Sequence, residues 1–346
     1  MKKLDLKNMN ISELENLFLS IGEKKFRAKQ LFKYIHKENK NDLDEITVLS
    51  KDLREKLKEF TEISDISILK RIDSKIDKTK KYIFKLYDNN IIESVYMESK
   101  ANNTICISTQ VGCKMGCVFC ASTQNGYSRN LSAAEILSQV YKVERDLNKR
   151  IDNIVLMGIG EPFDNFDNVL KFIKIINSDD GHNTGIRNIT ISTSGIISGI
   201  DKLAKTGLQV NLAISLHNGI QKEREDIMPI AKGNKLTKLH EALLDYQNKT
   251  GRRISYEYVV IKDVNDSYDH ARYIKSMCSG LDAHVNLISL NKIDEYNKQA
   301  ARDPDIQRFK EKLENLGINT TIRRKQGSDI DAACGQLRNK YETLSR

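Results

Sequence analysis

Nowhere in the chain do apolar residues run for the ~18 consecutive positions that a membrane-spanning helix needs. The first residues, Met1-Lys-Lys-Leu-Asp-Leu, carry basic charge but no apolar stretch and no small-residue cleavage site, so no secretory leader and no membrane association are expected. The expected compartment is the cytoplasm. There is no internal repeat and no low-complexity segment, which excludes a repeat array or a disordered tail as the main architecture. What remains is a chain of 346 residues, 39% hydrophobic and 30% charged, an ordinary globular composition long enough for one large domain and a small appendage. Lys plus Arg (56) exceed Asp plus Glu (47), giving a formal charge of +9. That excess is compatible with a polyanionic partner but does not by itself select nucleic acid.

Cysteine is scarce and unevenly used. Of six, four fall between Cys106 and Cys120 (Cys106, Cys113, Cys117, Cys120), and the others are Cys278 and Cys334. In a reducing compartment such clustering points to metal or redox chemistry rather than structural disulfides.

Three regions differ in pattern. Residues 1–62 are lysine-rich and helically periodic. In Glu23-Lys-Lys-Phe-Arg-Ala-Lys-Gln-Leu-Phe-Lys-Tyr-Ile-His36, Phe26, Leu31, Phe32 and Ile35 are assigned to one apolar side, with Lys and Arg on a solvated face. This predicts a small helical domain. Residues 63–99 contain Tyr82-Ile-Phe-Lys-Leu-Tyr87 and Ile91-Ile-Glu-Ser-Val-Tyr-Met97, β-branched and aromatic, separated by Asp88-Asn-Asn, which predicts a β-hairpin. Residues 100–346 alternate short apolar runs (104–109, 153–157, 189–192, 210–216, 255–260, 285–290 and 319–322) with amphipathic stretches of helical length. Ser132-Ala-Ala-Glu135 is a capping-box start for the first helix. The alternation predicts an α/β fold, a parallel sheet, open or curled into a barrel, with helices outside and the active site at the C-terminal strand ends.

Gly112-Cys113-Lys-Met-Gly-Cys117-Val-Phe-Cys120 follows the first of these strands directly. Thiolates at C-x3-C-x2-C can hold three irons of a [4Fe–4S] cube from one loop, with Gly112 and Gly116 letting the backbone wrap closely. No fourth ligand follows at a neighbouring spacing, so one iron stays open for an exogenous ligand. A structural zinc loop is the competing reading, but it wants a second pair of ligands that the sequence lacks.

The motif, with an aromatic residue before its last cysteine, resembles the radical S-adenosylmethionine (SAM) superfamily. There the open iron binds the amino and carboxylate groups of SAM, and one electron from the cluster cleaves SAM to a 5′-deoxyadenosyl radical. Further strand ends carry polar or glycine-rich groups: Met157-Gly-Ile-Gly160-Glu161-Pro162, Ile191-Ser192-Thr-Ser-Gly195, Ile214-Ser215-Leu-His217-Asn218 and the run ending in Asn291. Singly each is a turn or cap former; the Gly-x-Gly pair permits close backbone approach to a ligand. Cys106 and Cys334, taken alone, read as buried apolar fillers, as Cys278 does. Glu93, taken alone, reads as an edge-strand surface carboxylate.

Together these segments resemble the RlmN/Cfr family of radical SAM adenine methyltransferases, over nearly the whole chain. The likeness runs from Lys24-Lys-Phe-Arg-Ala-Lys-Gln-Leu-Phe32 through Cys106-x6-Cys113, Ser215-Leu-His217 and Glu257-Tyr-Val-Val260. It continues with Val264-Asn-Asp-Ser267 and ends with Gly327-Ser-Asp-Ile-Asp-Ala-Ala-Cys-Gly-Gln-Leu337. One departure is Lys292 after Asn291, where the family usually has proline. The stretch Gly160–Asn165 and the Ser328–Ala333 insertion look like the RlmN branch and unlike the Cfr branch, whose product is methylated at C8.

The resemblance implies a partial (βα)6-type radical SAM barrel over 100–346 with a C-terminal catalytic-Cys loop. It also implies a helical RNA-contacting domain at 1–62 and a β-hairpin extension at 63–99. It implies a [4Fe–4S] cluster on Cys113, Cys117 and Cys120, and SAM, two per turnover, held by Gly160, Glu161, Ser192, Ser215, Leu216, His217 and Asn291. The implied reaction is methylation of C2 of an adenosine at the peptidyl-transferase centre of 23S rRNA, and of an anticodon-loop adenosine in some tRNAs. Cys334 would carry an S-methylcysteine intermediate and Cys106 would resolve the protein–RNA adduct through a transient disulfide. Glu93 would accept the proton. An electron donor and a thiol reductant are implied as partners, and the enzyme is expected to act as a monomer. Lys24, Lys25, Arg27, Lys29, Arg323, Arg324 and Lys325 would contact phosphates. The rival from another class is a non-enzymatic zinc-dependent RNA-binding protein, which would purify colourless rather than brown.

Overall fold

Helical periodicity at the N-terminus builds α1 (Ile11–Ser20), α2 (Lys25–His36) and α3 (Lys51–Phe60) in the computed structural model, which describes residues 3–337. Asn10 and Glu13 form a capping box that starts α1. On α2 the buried stripe is Ala28, Leu31, Phe32 and Ile35, spaced i, i+3, i+4, i+7. Phe26, assigned to that side from the sequence, lies outside the stripe and is 53% exposed, because two residues of helix turn it roughly 160° away from Ala28.

Ten strands then follow: β1 (Ser67–Asp73), β2 (Lys80–Lys85), β3 (Ile91–Glu98), β4 (Asn103–Cys106) and β5 (Asn153–Leu156). After them come β6 (Ile189–Thr193), β7 (Asn211–Ser215), β8 (Ile254–Val260), β9 (Ala283–Ser289) and β10 (Thr320–Ile322). All ten form one sheet in sequence order, antiparallel from β1 to β4 and parallel from β4 to β10. The crossovers are made by α4 (Ala133–Leu147), α5 (Phe166–Ile176), α6 (Ile197–Thr206), the short α7 (Gln221–Ile227) with α8 (Leu236–Thr250), α9 (Tyr268–Met277) and α10 (Asp303–Asn315). Six βα units and a closing strand therefore make the parallel part, with β1 and β10 left as the two edges: an α/β partial barrel, as expected.

The hairpin of β2 and β3 forms as predicted, turning at Asn89 in the left-handed region. It is not a bare linker, however. β3 pairs with β4, and β1 adds a third strand, so the extension continues the main sheet. β1 (SILKRID) escaped sequence reading because no residue of it is fully buried.

Ser132 and Glu135 cap α4 reciprocally, as the sequence predicts. Its buried side receives the N-terminal helices, and Leu6, Phe18 and Phe32 share one core with Ile136, Leu137 and Tyr141. Two polar groups are buried with them. Lys7 Nζ donates to Ser138 Oγ (3.0 Å) and pairs with Asp65 (3.4 Å). His36 Nδ1 lies 3.1 Å from the Tyr141 hydroxyl, and burial pulls its pKa down to about 3, so the ring is neutral. Among the described residues no helix is long and apolar enough to cross a membrane.

Candidate active site

The C-terminal ends of β5 to β9 surround a cavity of about 160 Å³. Cys113, Cys117 and Cys120 form one wall, and Cys334 and Gly335 reach it from the C-terminal loop. Active sites of parallel sheets form at this end because every crossover delivers a loop there.

The cluster loop leaves β4 through a two-stranded ribbon, Gln110–Gly112 against Tyr127–Asn130. Gly112 has φ +73, and a Cβ there would stand 1.8 Å from Gly126 O. The cross-link is tight because the Cys113 amide donates to that same carbonyl at 3.0 Å. Gly116 (φ +74) turns the loop over Pro229. All three thiols are pushed above their ordinary pKa, chiefly by burial, with Cys113 at about 12. A buried thiol of this kind ionises when a metal replaces its proton. Among the described residues no three His, Cys, Asp or Glu side chains converge as a single-ion site requires.

Most of the SAM-site residues expected from the sequence reach this cavity. Gly160, Glu161, Ser192, Ser215 and His217 line it. Glu161 Oε2 accepts from the amide and hydroxyl of Ser194 (2.7 and 2.8 Å), and Oε1 accepts from the Phe163 amide at 3.0 Å. The Thr193 hydroxyl acts on the same carboxylate, so the end of β6 supplies most of its donors. Burial raises the Glu161 pKa, and its amide and hydroxyl donors oppose that shift. His217, at φ +54, accepts the Val259 amide at Nδ1 (3.1 Å) and meets Phe119 edge-on at 4.9 Å. Burial lowers its pKa to about 3, helped by Arg224. The neutral ring therefore carries its proton on Nε2, as a donor.

Three expectations change in detail. The glycine pair Gly158 and Gly160 serves the protein's own packing: a Cβ at either would stand 2.6 Å from Ile107 O or from Gln110 Cβ. Leu216 has a fully buried side chain, and its amide and carbonyl are engaged with Glu257 O (3.0 Å) and Arg224 Nε (3.0 Å). Asn291 does not line the cavity; its Nδ2 donates to the Cys334 carbonyl at 2.9 Å.

The loop bearing Cys334 is tied on three sides. Ala121 N–H donates to Gly335 O (2.7 Å) and Ser122 Oγ to Leu337 O (2.8 Å), fastening it to the cluster loop. Ser74 Oγ and the Lys75 amide donate to Asp329 (both 2.8 Å), and the Gly327 amide donates to Asp77 (2.9 Å), fastening it to the β1–β2 turn. Gln336 Nε2 reaches Lys292 O at 3.2 Å. Underneath, Ala332 and Leu337 pack on Cys106 and Val95. Cys334 itself is exposed and Cys106 is buried.

Glu93 is two residues from Val95, the cross-strand neighbour of Cys106, and so shares its face of the sheet. It is no surface carboxylate. It is 1% exposed and pairs at 3.0 Å with Lys81, whose Nζ also donates to Asp331 O at 3.2 Å. The pair joins the carboxylate to the Cys334 loop. Cys278 is partly buried against the core, as a filler would be.

Burial is the main cause that pushes the Cys106 thiol up to about 12. At pH 8 its thiolate fraction is then about one part in ten thousand. Brief iodoacetamide treatment at pH 8 should alkylate Cys334 and spare Cys106, with Cys106 labelling increasing as pH climbs toward 12. Peptide mass mapping reads this; equal labelling of both at pH 8 would contradict the burial.

The expected phosphate contacts divide. Arg323 turns inward: it lines the cavity and its Nη1 lies 3.4 Å from both Glu257 Oε2 and Met157 Sδ. Lys25, Arg27 and Lys29 are already paired, with Glu15 (3.5 Å), Glu23 (2.9 Å) and Asp180 (2.8 Å). Ion pairs as open to solvent as those of Lys25 and Lys29 contribute little to stability.

Sequence reading missed Arg224. It is fully buried on α7, with Nε donating to Leu216 O (3.0 Å) and Nη2 to Ser194 O (2.8 Å) and Ser215 O (3.1 Å). Its Nη1 is buried with no hydrogen-bond partner among the described residues. A buried cationic donor without an acceptor, near the Cys117 thiol, fits a site built for an anionic cluster.

Comparison with known proteins agrees. Residues 4–63 match the family model of the ribosomal RNA large subunit methyltransferase N-terminal domain, and residues 107–274 match that of the radical SAM superfamily. A probable dual-specificity RNA methyltransferase RlmN from Finegoldia magna is 48% identical over 97% of this chain and 96% of its own length. One of the same description from Caldanaerobacter subterraneus is 49% identical, over 97% and 98%. The crystal structure of a radical SAM methyltransferase from Sphaerobacter thermophilus superposes with a TM-score of 0.92 at 37% identity, covering 97% of this chain and 99% of that one.

Proposed function

Since the chain belongs to the RlmN family of radical SAM RNA methyltransferases, we propose that it methylates C2 of an adenosine in 23S rRNA and of an anticodon-loop adenosine in tRNA, using Cys334 as methyl carrier and Cys106 as resolving thiol. Cys113, Cys117 and Cys120 would hold the [4Fe–4S] cluster, and Glu161, Ser192, Ser215 and His217 would hold SAM. Bound together, cluster and SAM supply an electrophilic methyl group and, from a second SAM, a hydrogen-abstracting radical. C2 of adenine is electron-poor and lacks an acidic proton, so direct polar methylation there is implausible.

The chain's own groups account for the rest. Cys334 takes the methyl group and presents its carbon to the base. Cys106, once its thiol has lost its proton, attacks the Cys334 sulfur. The sulfur–carbon bond breaks with its electron pair going to the carbon on the base, which takes up a proton to become the methyl group. The disulfide left on the protein must then be reduced by an external thiol. Glu93 accepts the C2 proton, with Lys81 as its countercharge. The target base must be extruded to reach this cavity. One observation carries the reading: the Cys334 loop lies on the cluster loop, through the 2.7 Å bond from Ala121 to Gly335, while its Ala332 covers Cys106. Cys334 and the three cluster cysteines line one cavity, and the buried Cys106 packs beneath the loop that bears Cys334, which supports the two roles.

The test is mass spectrometry of nucleosides from RNA treated with the reconstituted enzyme, run against C2- and C8-methyladenosine standards. 2-Methyladenosine is expected. Methylation at C8 alone, or no methylated adenosine from a fully loaded enzyme, would overturn the proposal.

A further inference from the structure

A guanidinium offers five N–H donors. In Arg224, Nε and Nη2 spend three of them on the carbonyls of Ser194, Ser215 and Leu216, at the ends of β6 and β7. The two on Nη1 are sealed from solvent and meet no acceptor, and among the described residues no carboxylate pairs with this cation. A charge so placed is costly unless an anion completes the site.

The fold supplies the direction. The end of α7, one turn beyond Arg224, is seated on the cluster loop: the Val118 amide donates to Ile227 O at 3.1 Å, and Pro229 lies beneath Gly116. Cys117 packs on the apolar group containing Ile227 and Met228. Arg224 and Cys117 lie close enough for their charges to act on one another. Burial brings the Arg224 pKa to about 10, so it remains cationic at neutral pH.

We propose that Arg224 is the built-in counter-cation of the iron–sulfur cluster, donating through Nη1 to a sulfur on the Cys117 side and raising the cluster's reduction potential. The proposal rests on the cluster reading given above. A cube held by three thiolates becomes more negative by one charge when it takes an electron, and a fixed neighbouring cation favours the more negative state. Arg224 is a positioning and redox-tuning residue here, since it also pins the strand ends that carry Ser194 and Ser215.

The experiment is an anaerobic potentiometric titration, followed by EPR, of cluster-loaded parent, Arg224→Lys and Arg224→Gln proteins with dithionite as the reductant and no SAM. The midpoint should move to more negative potential in Arg224→Gln and stay near the parent in Arg224→Lys. An unchanged midpoint in Arg224→Gln, or equal displacement in both variants, overturns the proposal. Should Arg224→Gln fail to fold, pulsed EPR of the reduced parent labelled with 15N-arginine decides. A 15N coupling that survives Arg323→Lys is expected, and its absence refutes the assignment. A parent that takes up no cluster would instead refute the cluster reading itself.

Discussion

Cys106→Ala is expected to stop the reaction after the carbon carried by Cys334 has bonded to the base, leaving protein and RNA covalently joined. Cys106 ends β4 opposite Val95, beneath Ala332 and Leu337 of the loop that bears Cys334. Among the described residues the other cysteines cannot replace it: three belong to the cluster wall, and Cys278 packs against the core from α9's end. Release of methylated RNA should fall by roughly a hundredfold or more, as when the nucleophile of a covalent mechanism is removed. A slow band on a denaturing gel, converted to free protein by nuclease, is the readout. Normal release by this variant would remove Cys106 from the mechanism, and with it the role given to the disulfide.

Gly112→Ala should abolish cluster binding although it alters no ligand. The added methyl would overlap Gly126 O at 1.8 Å, a contact with rigid backbone that no rotamer relieves. The ribbon must open, and Cys113, whose amide is bonded to that carbonyl, moves with it. Gly126→Ala is the control. It has a similar φ of +71 but open space around the added Cβ. It should cost only about 1–2 kcal/mol of backbone strain and keep its iron. Iron and sulfide content with visible absorption of anaerobically purified proteins reads both; parent-like iron in Gly112→Ala would defeat the expectation.

Much of this site was legible because its chemistry is written in residue types with few other uses. Three cysteines at C-x3-C-x2-C and a serine or histidine at successive strand ends stand out against apolar runs. So does the β2–β3 hairpin, with its β-branched and aromatic residues. The parts that were not legible depend on which way a common residue faces. Arg224 sits in Gln221-Lys-Glu-Arg-Glu-Asp-Ile227, a charged run that reads as a solvated helix, and nothing in its composition distinguishes the buried arginine from Lys222, whose side chain is 80% exposed. Arg323 reads as one of three adjacent cations, yet it alone of them lines the cavity. Glu93 looks like an edge carboxylate until β1 and β2 extend the sheet beyond it and Lys81 is brought to its face. Gly158 and Gly160 signal close approach correctly, but not whether the approaching partner is a ligand or the next strand.

The clip between the β1–β2 turn and the Asp329 segment bears on how the molecule is made. All ten strands and the cluster loop are encoded before residue 323, and the Asp329 segment with Cys334 follows them in the chain. Synthesis from the N-terminus therefore makes the whole sheet and the docking place at Ser74, Lys75 and Asp77 before it makes the segment that occupies that place.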